Sequence, residues 1–167
     1  NNVALGAYAL DANATASNNI AVGFAALGGN TTGTSNVAIG TNALITNTTA
    51  NNNLAVGYQA LYLNTGSENT ASNNTAIGRT SLYLNTTGSE NTGIGSGTLL
   101  SNLTGSNNTG LGYTALGANT TGIDNVAVGA YSLDASTTGS YNTSVGKSSM
   151  GANVTGANNV AVGQSAL

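Results

Sequence analysis

Residues 35–51 read SNVAIGTNALITNTTAN, and residues 124–140 read DNVAVGAYSLDASTTGS. Laid over one another, they agree at the Asn, the aliphatic–Ala–aliphatic–Gly run, the Leu four residues past the glycine and a Thr-Thr pair. Glycines of the same phase stand at 6, 23, 40, 57, 78, 95, 112, 129, 146 and 163, separated by 17 residues eight times and by 21 once. A unit repeated end to end in this way is one small supersecondary element stacked on itself. The repeat also bounds function. A catalytic site needs a unique cluster of residues, whereas a repeated surface suits spacing, reach or multivalent contact.

Each glycine is taken as phase 0 of its unit. Phase −1 is always aliphatic, from Leu5 to Val162, and phase −2 is always Ala, Gly or Ser. Phase −3 is Val, Ile, Leu or Thr, phase −4 is Asn in all ten units, and phase +4 is Leu except for Met150. Seventeen residues with two short apolar stretches cannot hold two helices and a turn. They accommodate two short strands and two turns: alternation over −4 to −1 is strand periodicity, and a second strand is expected over +1 to +5. Glycine at phase 0 permits a backbone turn that a Cβ would obstruct. A polar loop such as Asn-Thr-Thr-Gly at 30–33, 85–88 and 119–122 closes the unit. The expected fold is therefore all-β, one domain over 1–167, a parallel β-solenoid of ten rungs about 4.8 Å apart.

Like residues then face like. Asn at −4 predicts a ladder of amides, each bonded to the next, as in cross-β stacks. Thr at +9 predicts a hydroxyl column, and the aliphatics at −1 and +4 are expected to fill the interior. The four extra residues of the long interval are expected as a loop insertion near 65–69, because insertions in repeats map to loops.

Composition narrows the function. Only 4% of residues are charged, against roughly 25% in ordinary globular proteins. Arg79 and Lys147 are the only cations and the net charge is −3, so no basic footprint for nucleic acid or anionic lipid is present. No run approaches the length of a membrane span. Cys and His are absent, which removes thiolate and imidazole chemistry, and no cofactor is expected. With two basic residues, trypsin-like proteases find almost nothing to cut, which suits an exposed, extracellular location. Both ends of the sequence fall within the repeat phase, so the chain reads as a segment of a longer fibre.

The stretches NNVALG (1–6), SNVAIG (35–40), NNTAIG (73–78), DNVAVG (124–129) and NNVAVG (158–163) resemble the Asn-Ser-Val-Ala-Ile-Gly repeat of trimeric autotransporter adhesin heads, the YadA-like head family. Similar repeats occur in phage and viral tail-fibre proteins. The resemblance covers all ten units. It implies a left-handed parallel β-roll and a parallel homotrimer on a cell or virion surface, contacting host surface, matrix or glycan. The small residues at −2 fit three sheets approaching a common axis. IGTNAL (39–44), VGYQAL (56–61) and IGRTSL (77–82) also resemble the hexapeptide of left-handed β-helix acyltransferases. One hexapeptide in three matches, however, and the His base of those enzymes is missing.

Local candidates are few. Tyr62 and Tyr83 share phase +5 on consecutive units, with Leu63 and Leu84 beside them, and form a candidate surface contact patch. Asn-x-Thr triplets make Asn13, Asn30, Asn47, Asn85, Asn102, Asn119 and Asn153 candidate N-glycan acceptors. Asn at this phase also appears where the triplet fails, at Asn64-Thr65-Gly66, so turn formation explains it more simply. Glu68 and Glu90 occupy similar loops and read as solvated acids. The sequence thus predicts a non-catalytic structural or adhesive extracellular fibre segment, an adhesin head or a tail-fibre shaft. An ice-binding solenoid, in which Thr columns order water, is the alternative from another class.

Overall fold

The computed structural model describes residues 1–66 and 70–167. Ten strands of three residues follow one another: β1 (Val3–Leu5), β2 (Ile20–Val22), β3 (Val37–Ile39), β4 (Leu54–Val56), β5 (Thr75–Ile77), β6 (Thr92–Ile94), β7 (Thr109–Leu111), β8 (Val126–Val128), β9 (Thr143–Val145) and β10 (Val160–Val162). They form one sheet in sequence order. Every pairing is parallel and joins equal phases, as in Val37 with Leu54 and Ile39 with Val56. No helix occurs among the described residues. The chain is a β-solenoid with one strand per rung, its rungs numbered here 1 to 10 by their glycines. Nine steps of about 4.8 Å make a sheet about 43 Å long.

The expected second strand is absent, and the backbone shows why. Phases +2 and +4 both lie at positive φ, as at Ala25 (52°) and Leu27 (52°) or Asn42 (57°) and Leu44 (54°). Alternating such residues with ordinary ones bends the segment into successive turns. Its amides still bond between rungs: Ala25 N–H donates back to Ala7 O at 2.9 Å, and Leu27 N–H donates forward to Ala43 O at 2.9 Å. Asn30 N–H closes a turn on Leu27 O at 3.2 Å. The segment is stacked without being extended.

The two faces of the sheet also differ from the expected arrangement. The interior is filled from phases −2 and +4, not −1 and +4. Ala21, Ala38, Ala55, Ala76 and Ala127 are fully buried, and so are Leu27, Leu44, Leu61, Leu82, Leu99, Leu116, Leu133 and Met150. Side chains alternate across a strand, so phases −3 and −1 point outward, and Ile39, Ile94 and Leu111 are exposed. The smallness at −2 thus answers to a thin interior. It makes room for the Leu at +4 of a wall only one side chain away.

Glycine at phase 0 is required twice over. Its φ lies between 128° and 135° on every rung. At Gly40 an added Cβ would also come within 2.5 Å of Gly57 O on the next rung. Two amide ladders run beside the core. At −4, Asn36 N–H donates to Asn19 Oδ1 at 2.9 Å, and Asn36 Nδ2 donates to Ala50 O at 2.9 Å. At +7, Asn47 Nδ2 donates to Asn30 Oδ1, Asn64 to Asn47 and Asn85 to Asn64, at 3.0, 2.9 and 3.0 Å. These side chains are buried, and a buried amide is tolerable only when bonded in this way.

The frame is continuous across the long interval. The +7 ladder and the pairing of β4 with β5 cross it without a break. Asn64 Nδ2 reaches Ala71 O across seven residues, where Asn85 reaches Gly88 O across three. Of the loop expected near 65–69, Ser67, Glu68 and Asn69 lie outside the described residues.

Candidate functional site

The outward sheet face is the most continuous feature of the surface. Phases −3 and −1 give two columns along β1–β10, and all twenty positions are Val, Ile, Leu or Thr. No charge and no amide interrupts them. Three residues of strand are about 10 Å wide, so the face projects on the order of 400 Å². That is the size at which an exposed apolar patch on a monomer is commonly functional. Its most polar stretch is the run of hydroxyls at Thr75, Thr92 and Thr109 on three consecutive strands.

The corner after each glycine carries a second feature. Phases +1 and +2 are exposed or half-exposed on every rung except at Ala25, which is buried, and aromatic rings meet there across neighbouring rungs. Tyr8 packs edge-to-face on Phe24, with centroids 5.5 Å apart and planes at 84°. Tyr113 does the same with Tyr131, at 5.2 Å and 75°. All four are exposed, as is Tyr58 on the same corner.

Tyr62 and Tyr83, the pair expected as a contact patch, are brought together differently. Their rings stack with centroids 5.0 Å apart and planes at 15°. Each ring covers one face of the other, and both are only partly exposed, like Leu63 and Leu84 beside them. The arrangement extends the like-on-like stacking of the ladders to a pair of rings.

The glycan candidates divide by position. Asn30, Asn47, Asn85, Asn102 and Asn119 are fully buried, their Nδ2 groups donating inside the wall. A sugar on any of these nitrogens would displace the ladder, so the folded chain offers no acceptor there. Asn13 and Asn153, on rungs 1 and 9, are partly exposed. The triplets made these Asn candidate acceptors, with turn formation as the simpler explanation of their recurrence. The turn is polar, and the Asn at its start faces inward.

The Thr at +9 is exposed on rungs 1, 2, 5, 6, 7, 8 and 9. Beside it the +8 hydroxyls of Thr31, Thr86, Thr120 and Thr137 donate to the next rung, as in Thr31 Oγ1 to Thr48 O at 3.0 Å and Thr120 Oγ1 to Thr137 O at 2.9 Å. The +8 column is also interrupted by Ala14, Leu103 and Val154, so the hydroxyls do not form a flat, continuous two-column array. Among the described residues no cluster of three metal-ligating side chains occurs, and none of them lines a cavity. Glu68 lies outside the described residues. Compared with protein-family models, curated proteins and solved structures, the chain matches none.

Proposed function

We propose that this chain is a non-catalytic segment of an extracellular attachment fibre, and that copies of it associate through the outward sheet face. The observation carrying this reading is that face: two uninterrupted columns of Val, Ile, Leu and Thr lie against solvent while the interior is already filled from phases −2 and +4. An apolar strip that the chain's own core does not use calls for a partner. A second copy supplies the matching strip with the same rung spacing. Three copies, parallel and in register, close around an axis without leaving an open face, and the left-handed roll implied by the sequence resemblance belongs to this proposal. The repeat supports a mechanical role, since ten near-equal rungs give a stiff rod and no unique catalytic cluster.

Sedimentation of the folded segment tests this directly. A trimer at micromolar concentration is expected. Ile94→Lys, placing a charge at the centre of the face, is expected to give a folded monomer with an unchanged circular dichroism spectrum. A wild-type chain that sediments as a stable, folded monomer at that concentration overturns the assembly.

A further inference from the structure

The corner formed by phases +1 and +2 holds much of what is individual in this chain. Interior phases repeat almost without change, whereas phase +1 runs Ala, Phe, Thr, Tyr, Arg, Ser, Tyr, Ala, Lys, Gln from rung 1 to rung 10. Of the eight aromatic residues of the sequence, five stand on this corner, at Tyr8, Phe24, Tyr58, Tyr113 and Tyr131, and all five are exposed. Both cations stand there too. Arg79 follows Tyr58 by one rung and Lys147 follows Tyr131 by one rung, and each is exposed. Of the acids, Asp11 and Asp134 lie at phase +5 and Glu90 and Asp124 at phase +12, while Glu68 falls in the long interval, outside the described residues. A chain of net charge −3 thus keeps its positive charge, and most of its exposed rings, on one edge.

We propose that this ridge binds a linear acidic polysaccharide laid along the fibre axis, a ligand class that rests on the attachment-fibre reading and sharpens it. The edge-to-face pairs leave one ring of each pair with neither face covered by its partner. An uncovered ring face of Tyr or Phe packs against the apolar face of a pyranose, with the Tyr hydroxyl left for hydrogen bonding. Arg79 and Lys147 are four rungs apart, about 19 Å at one strand spacing per rung. A polymer several sugars long spans that distance and brings a carboxylate to each cation; a single small molecule does not. Two cations over the whole length are too few for a nucleic acid, whose phosphates need many such contacts.

Electrophoresis of the folded segment through gels containing polygalacturonate, neutral dextran or no polymer tests the assignment. Retardation by polygalacturonate is expected, weakening with added salt, with none by dextran. Arg79→Gln with Lys147→Gln is expected to weaken binding about tenfold, and Tyr58→Ser with Tyr113→Ser by at least as much. Unaltered retardation in both double variants, equal retardation by dextran, or preferential binding of an oligo(dT) strand overturns the proposal. Sedimentation of the same variants separates this from assembly: if the Tyr variants lose their association state, the ridge is a subunit contact and the proposal falls. A wild-type chain that is monomeric yet retarded sinks the trimer and leaves the ridge standing.

Discussion

At the scale of single residues, the chain accepts backbone strain in return for inward-facing leucines. Every phase +4 residue has φ between 50° and 66°, a region that costs an L-residue about 1–2 kcal/mol. A fully buried Leu recovers roughly 1.5–3 kcal/mol, so the conformation is favourable only because the side chain is buried. Nothing in a leucine announces a positive φ, which is why the second strand looked plausible from sequence while Gly at phase 0 and Asn at −4 were legible. Phase +2 residues such as Thr114, only half-buried, carry the same strain with less of that return. Gly97 already occupies this phase on rung 6. Thr114→Gly, replacing a β-branched residue at φ 55°, is therefore expected to stabilise the fold by about 1 kcal/mol, read as a raised denaturation midpoint. Ser136 is a second soft point. It stands where the +7 ladder wants an amide, and both its Oγ and Asn119 Oδ1 are buried without a partner. Ser136→Asn restores the donor, and a gain of about 1–2 kcal/mol is expected; an unchanged or lowered midpoint contradicts the ladder's energetic role.

At the scale of elements, each strand meets the turn segment of the rung before it, and the two are matched in volume. Most rungs set Ala at +3 against Ala at −2, as Ala43 with Ala55. At two steps +3 is larger and −2 of the next rung is smaller: Ser81 meets Gly93, and Thr98 meets Gly110, whereas Ser149 meets Ala161 and bonds its carbonyl at 3.3 Å. A Cβ at Gly110 would fall 2.5 Å from Thr98 Cγ2, and one at Gly93 would fall 2.6 Å from Ser81 Oγ. On rungs 8 and 9 the match is polar instead, with Ser132 Oγ and Ser144 Oγ bonded at 2.7 Å. This pairing was present in the sequence, as compensating sizes twelve residues apart, but it becomes visible only once −2 is known to face inward. Gly110→Ala is expected to cost about 1–3 kcal/mol through overpacking. Adding Thr98→Ala recreates the Ala–Ala contact of other rungs, so the double variant should recover much of the loss, giving a coupling energy well away from zero in a double-mutant cycle. Strict additivity of the two changes would mean that the pair does not pack as described.

At the scale of the whole molecule, a stack whose rungs bond only to their neighbours gains stability rung by rung. One rung is then removable in principle, provided the new neighbours fit. The fit depends on the frame of the cut. Excising 95–111 removes Thr98 together with Gly110, joins Ile94 to Gly112, and leaves Ser81 on Gly93 and Ala115 on Ala127. Excising 102–118 also removes 17 residues, one strand and one Asn from each ladder. It keeps Thr98 and deletes Gly110, so Thr98 Cγ2 is driven against the Cβ of Ala127, the clash that glycine avoids at 110. The first deletion is expected to unfold cooperatively, with stability lowered by about one rung's share. The second is expected to lie a further 1–3 kcal/mol lower, and Thr98→Ala in that background should restore it to the level of the first. Chemical denaturation of the three proteins reads this out. If both deletions prove equally stable, the rungs are interchangeable, and the matched volumes are incidental to how this solenoid holds its register.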